Sequence, residues 1–160
     1  MNSREISDYK GKIMRYLIKD PEIVRLLDPN SRYEYPDDML YQAIFPFNRV
    51  HDTEEEVAAY ICVMIDIPSA YKKNELLRNV TLKIRVYCHE DLMRVKGEDG
   101  DRMDLLSARI DELLNESFDF GVGPVGITSN TEHVLDSRHF YRELTFRTEA
   151  LNKKRNEVNA

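Results

Sequence analysis

The chain has 160 residues and a formal net charge of −6, from 23 lysines and arginines against 29 aspartates and glutamates. That length suits one domain, which buries roughly 70% of the open chain's surface and so forms a core without staples. The 42% of apolar residues excludes a disordered chain, and no apolar run approaches the roughly 20 residues of a membrane-spanning helix. The acidic balance argues against a free-standing nucleic-acid binder, whose affinity comes largely from neutralising phosphates. The first residues, Met1-Asn2-Ser3-Arg4-Glu5, lack the apolar stretch of a signal peptide, which predicts a soluble protein assembled in the cytoplasm.

In chain order, Ile6, Tyr9, Ile13, Met14, Leu17 and Ile18 recur at helical spacing and predict an amphipathic helix over 4–19. Asp20-Pro21 supplies a cap and a first-turn proline for a short second helix through Leu27, stopped by Asp28-Pro29-Asn30. Tyr35-Pro36-Asp37-Asp38 predicts a third helix over 37–44, ended by Pro46. Residues 57–67 then change period. Ile61, Val63, Ile65 and Ile67 share one face and Tyr60, Cys62 and Met64 the other, the signature of an inner strand. Val80 to Cys88 alternates strictly and is the cleanest strand, reached through a loop with Tyr71, Lys72 and Lys73.

Asp101 caps a long helix over 102–115 whose buried stripe is Met103, Leu106, Ile110, Leu113 and Leu114. A glycine-rich strand over 122–134 and a last strand over 138–150 follow, joined by a turn at Asp136-Ser137. Segregated helices with a mostly antiparallel sheet of about four strands give an α+β fold in a single domain. Its parts are an N-terminal helical segment (1–30), a core (37–152) and a flexible tail (153–160).

Chemistry-bearing patterns are sparse. Glu98, Asp99, Asp101 and Asp104 are dense enough in carboxylate to suggest a divalent cation and a small metal-dependent hydrolase, but they lack the order of an EF-hand loop. His133 and His139 straddle a turn, and the spacing nominates no third metal ligand. Gly121-x-Gly123-x-x-Gly126 follows a helix and contains Pro124, so it reads as a bend or bulge rather than a dinucleotide loop. Cys62 and Cys88 lie in apolar strand patterns as reduced core thiols. No nucleophile elbow, phosphate-binding loop or kinase signature is present, and no DNA-reading helix carries basic residues. The sequence predicts a protein that is not an enzyme, with no cofactor and no resident metal.

An ordered set of motifs resembles the tail-terminator and neck proteins of tailed bacteriophages and prophages. It comprises Ile44-Phe45-Pro46-Phe47, Asp52-Thr53-Glu54-Glu55, Tyr60-Ile61-Cys62 and His89-x-x-Leu92-Met93. It continues with Arg102-x-Asp104-x-Leu106, Ile110-Asp111-x-Leu113-Leu114, Gly121-x-Gly123 and Arg142-x-Leu144-x-Phe146-Arg147-Thr148-x-Ala150-x-Asn152. The resemblance covers about 37–152. It implies a structural virion protein whose hexameric ring caps the tail tube and joins it to the head connector, with DNA passing through the lumen without specific binding. A head-completion or stopper protein, or an adaptor of the neck, is the neighbouring alternative.

On that reading the acidic run Asp52, Glu54, Glu55 and Glu56, or the 89–104 loop, lines the lumen, where a wall without strong positive potential lets DNA slide. Lys72, Lys73 and the tail Lys153-Lys154-Arg155 are the competing contacts to DNA or a neck partner. Tyr141, Glu143 and Arg147 of the last strand, or the 122–134 segment, are expected to meet the next subunit. An exposed strand edge carries backbone groups that still need partners. Asp104 is expected to tie the long helix to the preceding strand, which ends at His89, through an arginine or histidine.

Overall fold

The computed structural model of the chain describes residues 3–53, 55–68, 77–117 and 124–151. After a turn of 3-10 helix over Ser3–Glu5 come helix α1 (Ile6–Ile18) and helix α2 (Pro21–Leu27). Asp20 opens α2 as expected: its carboxylate accepts the Ile23 N–H at 3.1 Å, and proline fills the first helical position, where no N–H is needed.

The expected helix over 37–44 is corrected to one 3-10 turn, Pro36–Met39, followed by strand β1 (Ile44–Phe45). Asp38 accepts the Tyr35 N–H at 3.1 Å, so the start signal is real. Leu40 then turns extended, Tyr41 takes a positive φ of 63°, and Ile44-Phe45 pairs in parallel with Ile61-Cys62. Pairing buries Ile44 and Phe45, which a helix could not place on the two faces of a sheet.

Strand β2 (Ala59–Asp66) runs antiparallel to β3 (Leu77–His89), which runs antiparallel to β5 (His139–Leu151). Among the described residues strand β4 (Gly126–Val134) pairs only with β5, giving the sheet order β1-β2-β3-β5-β4. The fold is α+β, with five strands in a mixed sheet. β4 and β5 form the expected hairpin: the Leu135 and Asp136 N–H groups both donate to the His139 carbonyl, at 2.9 and 3.2 Å. The expected irregularity in the glycine-rich segment is a bulge between Ile127 and Ser129, just after Gly126. Gly121 and Gly123 lie outside the described residues.

Helix α3 (Arg102–Leu114) begins at Asp101, whose carboxylate accepts the Asp104 N–H at 2.8 Å. One sheet face meets the helices. Ile61, Val63, Ile84, Val86, Leu144 and Phe146 bury against Leu17, Leu26, Leu106 and Ile110 in one core. Arg102, only 7% exposed, stitches this layer together: Nε donates to the Leu92 carbonyl at 2.8 Å and Nη1 to the Leu26 carbonyl at 2.7 Å. Among the described residues no helix is long and apolar enough to cross a membrane.

Candidate functional site

Among the described residues the other sheet face meets no helix, and alternation decides what it carries. Because side chains repeat every two residues, the register sets five cross-strand rows on it. His89 faces His139. Next come Tyr60, Tyr87, Tyr141 and His133, one from each of β2, β3, β5 and β4. Then follow Cys62-Arg85-Glu143-Thr131, Met64-Lys83-Thr145-Ser129 and Asp66-Thr81-Arg147-Gly126.

The aromatic row is continuous. Tyr60 stacks on Tyr87 with centroids 4.8 Å apart, Tyr87 meets Tyr141 at 5.0 Å, and Tyr141 stacks on His133 at 4.8 Å. Phe45 extends it with an edge on Tyr60 at 5.8 Å. Such pairs contribute about 0.5–1.5 kcal/mol each beyond area burial. The chain after β1 folds over this end: the Tyr87 hydroxyl donates to Asn48 Oδ1 at 2.6 Å, and the Arg49 guanidinium lies over Phe45 and Tyr60. Burial pushes the Tyr60 and Tyr87 hydroxyls above the usual phenol range.

Beyond that cover the β3, β5 and β4 portion is open. Arg85 Nε donates to Glu143 at 2.6 Å, and its guanidinium stacks over Tyr141. Burial opposes the Arg85 charge, but the Tyr87 hydroxyl and the Glu143 carboxylate outweigh it and raise the pKa. The predicted interface residues therefore come together: Tyr141 and Glu143 are half-buried in this face, and Arg147 is exposed at its far end. Their strand is not an edge, however. β5 is hydrogen-bonded on both sides, so it offers a face; the edges are the two-residue β1 and the longer β4. Among the described residues the outer side of β4 is taken only at its start, where Asn115 Oδ1 accepts the Ile127 N–H at 3.0 Å. β4 is exposed along most of its length, with neither proline nor lysine, and ends in Val134 at 70% exposure.

The acidic run divides. Asp52 and Glu55 are exposed, whereas Glu56 is held by Arg49 at 2.7 Å and accepts the Asp52 N–H. Burial raises the Glu56 pKa, but the Arg49 guanidinium and the Asp52 N–H overcome it, leaving a net lowering. Glu54, Lys72, Lys73 and Lys153-Lys154-Arg155 lie outside the described residues. Three of the four carboxylates of the hydrolase alternative are otherwise engaged: Glu98 pairs with Arg25 at 3.1 Å, Asp101 caps α3, and Asp104 pairs with Arg142 at 2.8 Å, while Asp99 is exposed. The expected Asp104–arginine contact forms, but the expected tie to the strand ending at His89 is corrected: Arg142 lies on β5, so the contact fastens α3 to β5.

A family model described as YomW matches residues 20–148. The chain belongs to the YomW family. The match runs from the cap of α2 nearly to the end of β5, so the YomW region contains both sheet faces and the β4 edge. None of the curated proteins matches the chain.

One cluster in this YomW chain escapes sequence reasoning. His51, His89 and His139 converge with Asp136 where the open face meets the β4–β5 turn. The His51 and His139 rings stack with centroids 3.5 Å apart, and His89 stands edge-on to His139 at 4.8 Å. His133, the partner that spacing suggests for His139, instead stacks on Tyr141 and contacts Thr131. Three elements supply the three imidazoles, so no local spacing signals the cluster.

Proposed function

We propose that this YomW-family protein is a structural virion joint, a tail terminator whose ring caps the tail tube and offers its other side to the head connector. The observation that carries the reading is the β4 edge. A long, polar, exposed strand with one side unpaired is a ready template for a neighbouring copy. An edge that meets a different surface on the next subunit makes a heterologous contact, which closes into a ring when the rotation permits. Tyr141, Glu143 and Arg147 lie on the adjoining face and flank that contact.

The motif order over 37–152 supports the same reading, as does the prophage-type name of the family. Exposed Asp52 and Glu55 suit a lumen through which DNA slides without specific binding. The protein works in the neck and tail of the virion, after assembly in the host cytoplasm, without catalytic turnover.

A pull-down with immobilised full-length protein tests this against its nearest rival. Retention of the tail-tube protein is the expected result. Retention of the head connector alone would assign the chain to a head-completion, stopper or adaptor ring.

A further inference from the structure

The histidine cluster at the end of the open face carries an inference independent of the virion reading. Asp136 Oδ1 is held by the backbone N–H groups of Arg138 and His139 at 2.8 and 2.9 Å. Oδ2 then stands 2.7 Å from His51 Nε2 and 3.1 Å from His139 Nδ1. His139 Nε2 lies 2.8 Å from the Glu56 carbonyl, an acceptor, so it bears the N–H of the neutral ring. In the neutral ring Nδ1 then aims a lone pair at the Asp136 carboxylate, a repulsion relieved either by a proton on Nδ1 or by a metal cation that takes the proton's place.

The donors are two imidazole nitrogens and one carboxylate oxygen, all within 4.8 Å of one another. That set matches zinc-class ions. The bond from His139 Nε2–H to a backbone carbonyl is the outer-shell contact that fixes the tautomer of a ligating imidazole. The cluster is also buried: the His51 and His89 side chains are only 6% and 1% exposed. His51 Nδ1, the nitrogen that does not face Asp136, and His89 Nε2 have no hydrogen-bond partner among the described residues. Buried nitrogens without partners are uncommon away from functional sites.

We propose that His51, Asp136 and His139 bind one divalent transition-metal ion of the zinc class. In a tetrahedral site each donor stands about 2.0–2.1 Å from the ion and about 3.3 Å from the next donor. The two nitrogen–oxygen distances of 2.7 and 3.1 Å therefore lengthen slightly. Asp136 and His139 are fixed by the β4–β5 turn, while His51 sits on irregular chain between β1 and β2 and supplies the movement. The fourth position falls to water or to a donor from a neighbouring copy. Bound there, the ion clamps the stretch bearing Asp52, Glu55 and Glu56 to the turn from which the edge strand β4 departs.

The test uses full-length protein stripped with a chelator and titrated with zinc chloride or cobalt chloride. Wild type and His133→Gln are expected to bind one zinc per chain, and cobalt to give the intense visible absorption of a tetrahedral nitrogen–oxygen site. His51→Gln and Asp136→Asn, each checked for a native circular dichroism spectrum, are expected to bind more than roughly 100-fold more weakly, beyond the usual loss of an outer-shell partner. Sub-stoichiometric zinc on wild type, an octahedral cobalt spectrum, or unchanged affinity in either folded variant overturns the proposal. The cobalt spectrum of wild type decides without any substitution.

Discussion

Arg102 shows what one buried cation does in this molecule. Its guanidinium gives hydrogen bonds to the carbonyl that ends α2 and to the carbonyl of Leu92, joining three segments at one point. Burial pulls its pKa down, yet the group stays charged at any ordinary pH. Arg102→Leu leaves both carbonyls without a donor and is expected to cost about 3 kcal/mol in urea unfolding. Asp20 acts twice, capping α2 and taking Arg109 at 2.7 Å. The hydrogen bond from Arg109, helped by the Ile23 N–H, holds the Asp20 carboxyl below its ordinary 3.8 against the opposing effect of burial. A carboxylate with a lowered folded-state pKa stabilises fully above the unfolded value, and the contribution fades as pH falls through the folded one. The Asp20/Arg109 double-mutant cycle should accordingly give a coupling of about 0.5–1 kcal/mol at neutral pH and none once the carboxyl is protonated. The caps at Asp20 and Asp101 were legible because capping is local chemistry. Arg102, placed by sequence only as the start of the long helix, and the three converging histidines depend on segments far apart in the chain.

At the scale of elements, periodicity did most of the work. β2 and β3 announced themselves by their alternation, and α1 and α3 by their apolar stripes. The 37–44 helix failed because its start signal was genuine but its continuation was decided by β2, which takes Ile44-Phe45 as a parallel neighbour. Which strand would be the edge was equally hidden, since order within a sheet is a tertiary property. β5 had the more suggestive pattern, yet pairing on both sides removes its backbone from further assembly. On the proposed reading, assembly falls on β4. Ser129→Lys with Thr131→Lys puts cations beside that edge, a device that blunts strand addition. The double variant is expected to melt like wild type, within about 0.5 kcal/mol per exposed substitution. It should sediment as a smaller species, and sedimentation identical to wild type would move the interface elsewhere.

For the whole molecule, the two faces of one sheet divide the labour. The face against α1, α2 and α3 holds the core, so its residues answer to stability. The opposite face is aromatic where the chain after β1 covers it and polar where β5 and β4 lie open, and the proposed ring contacts fall there. Cys62 and Cys88, one on each face, are buried free thiols pushed up to about 11 and about 12, and their environment does not favour thiolate chemistry at neutral pH. On the proposed reading the protein acts through shape repeated around an axis. Native mass spectrometry of the full-length chain, alone and bound to tail tubes, addresses that idea most directly. A species of six times 18.8 kDa is the predicted result, and a monomer under both conditions would contradict it.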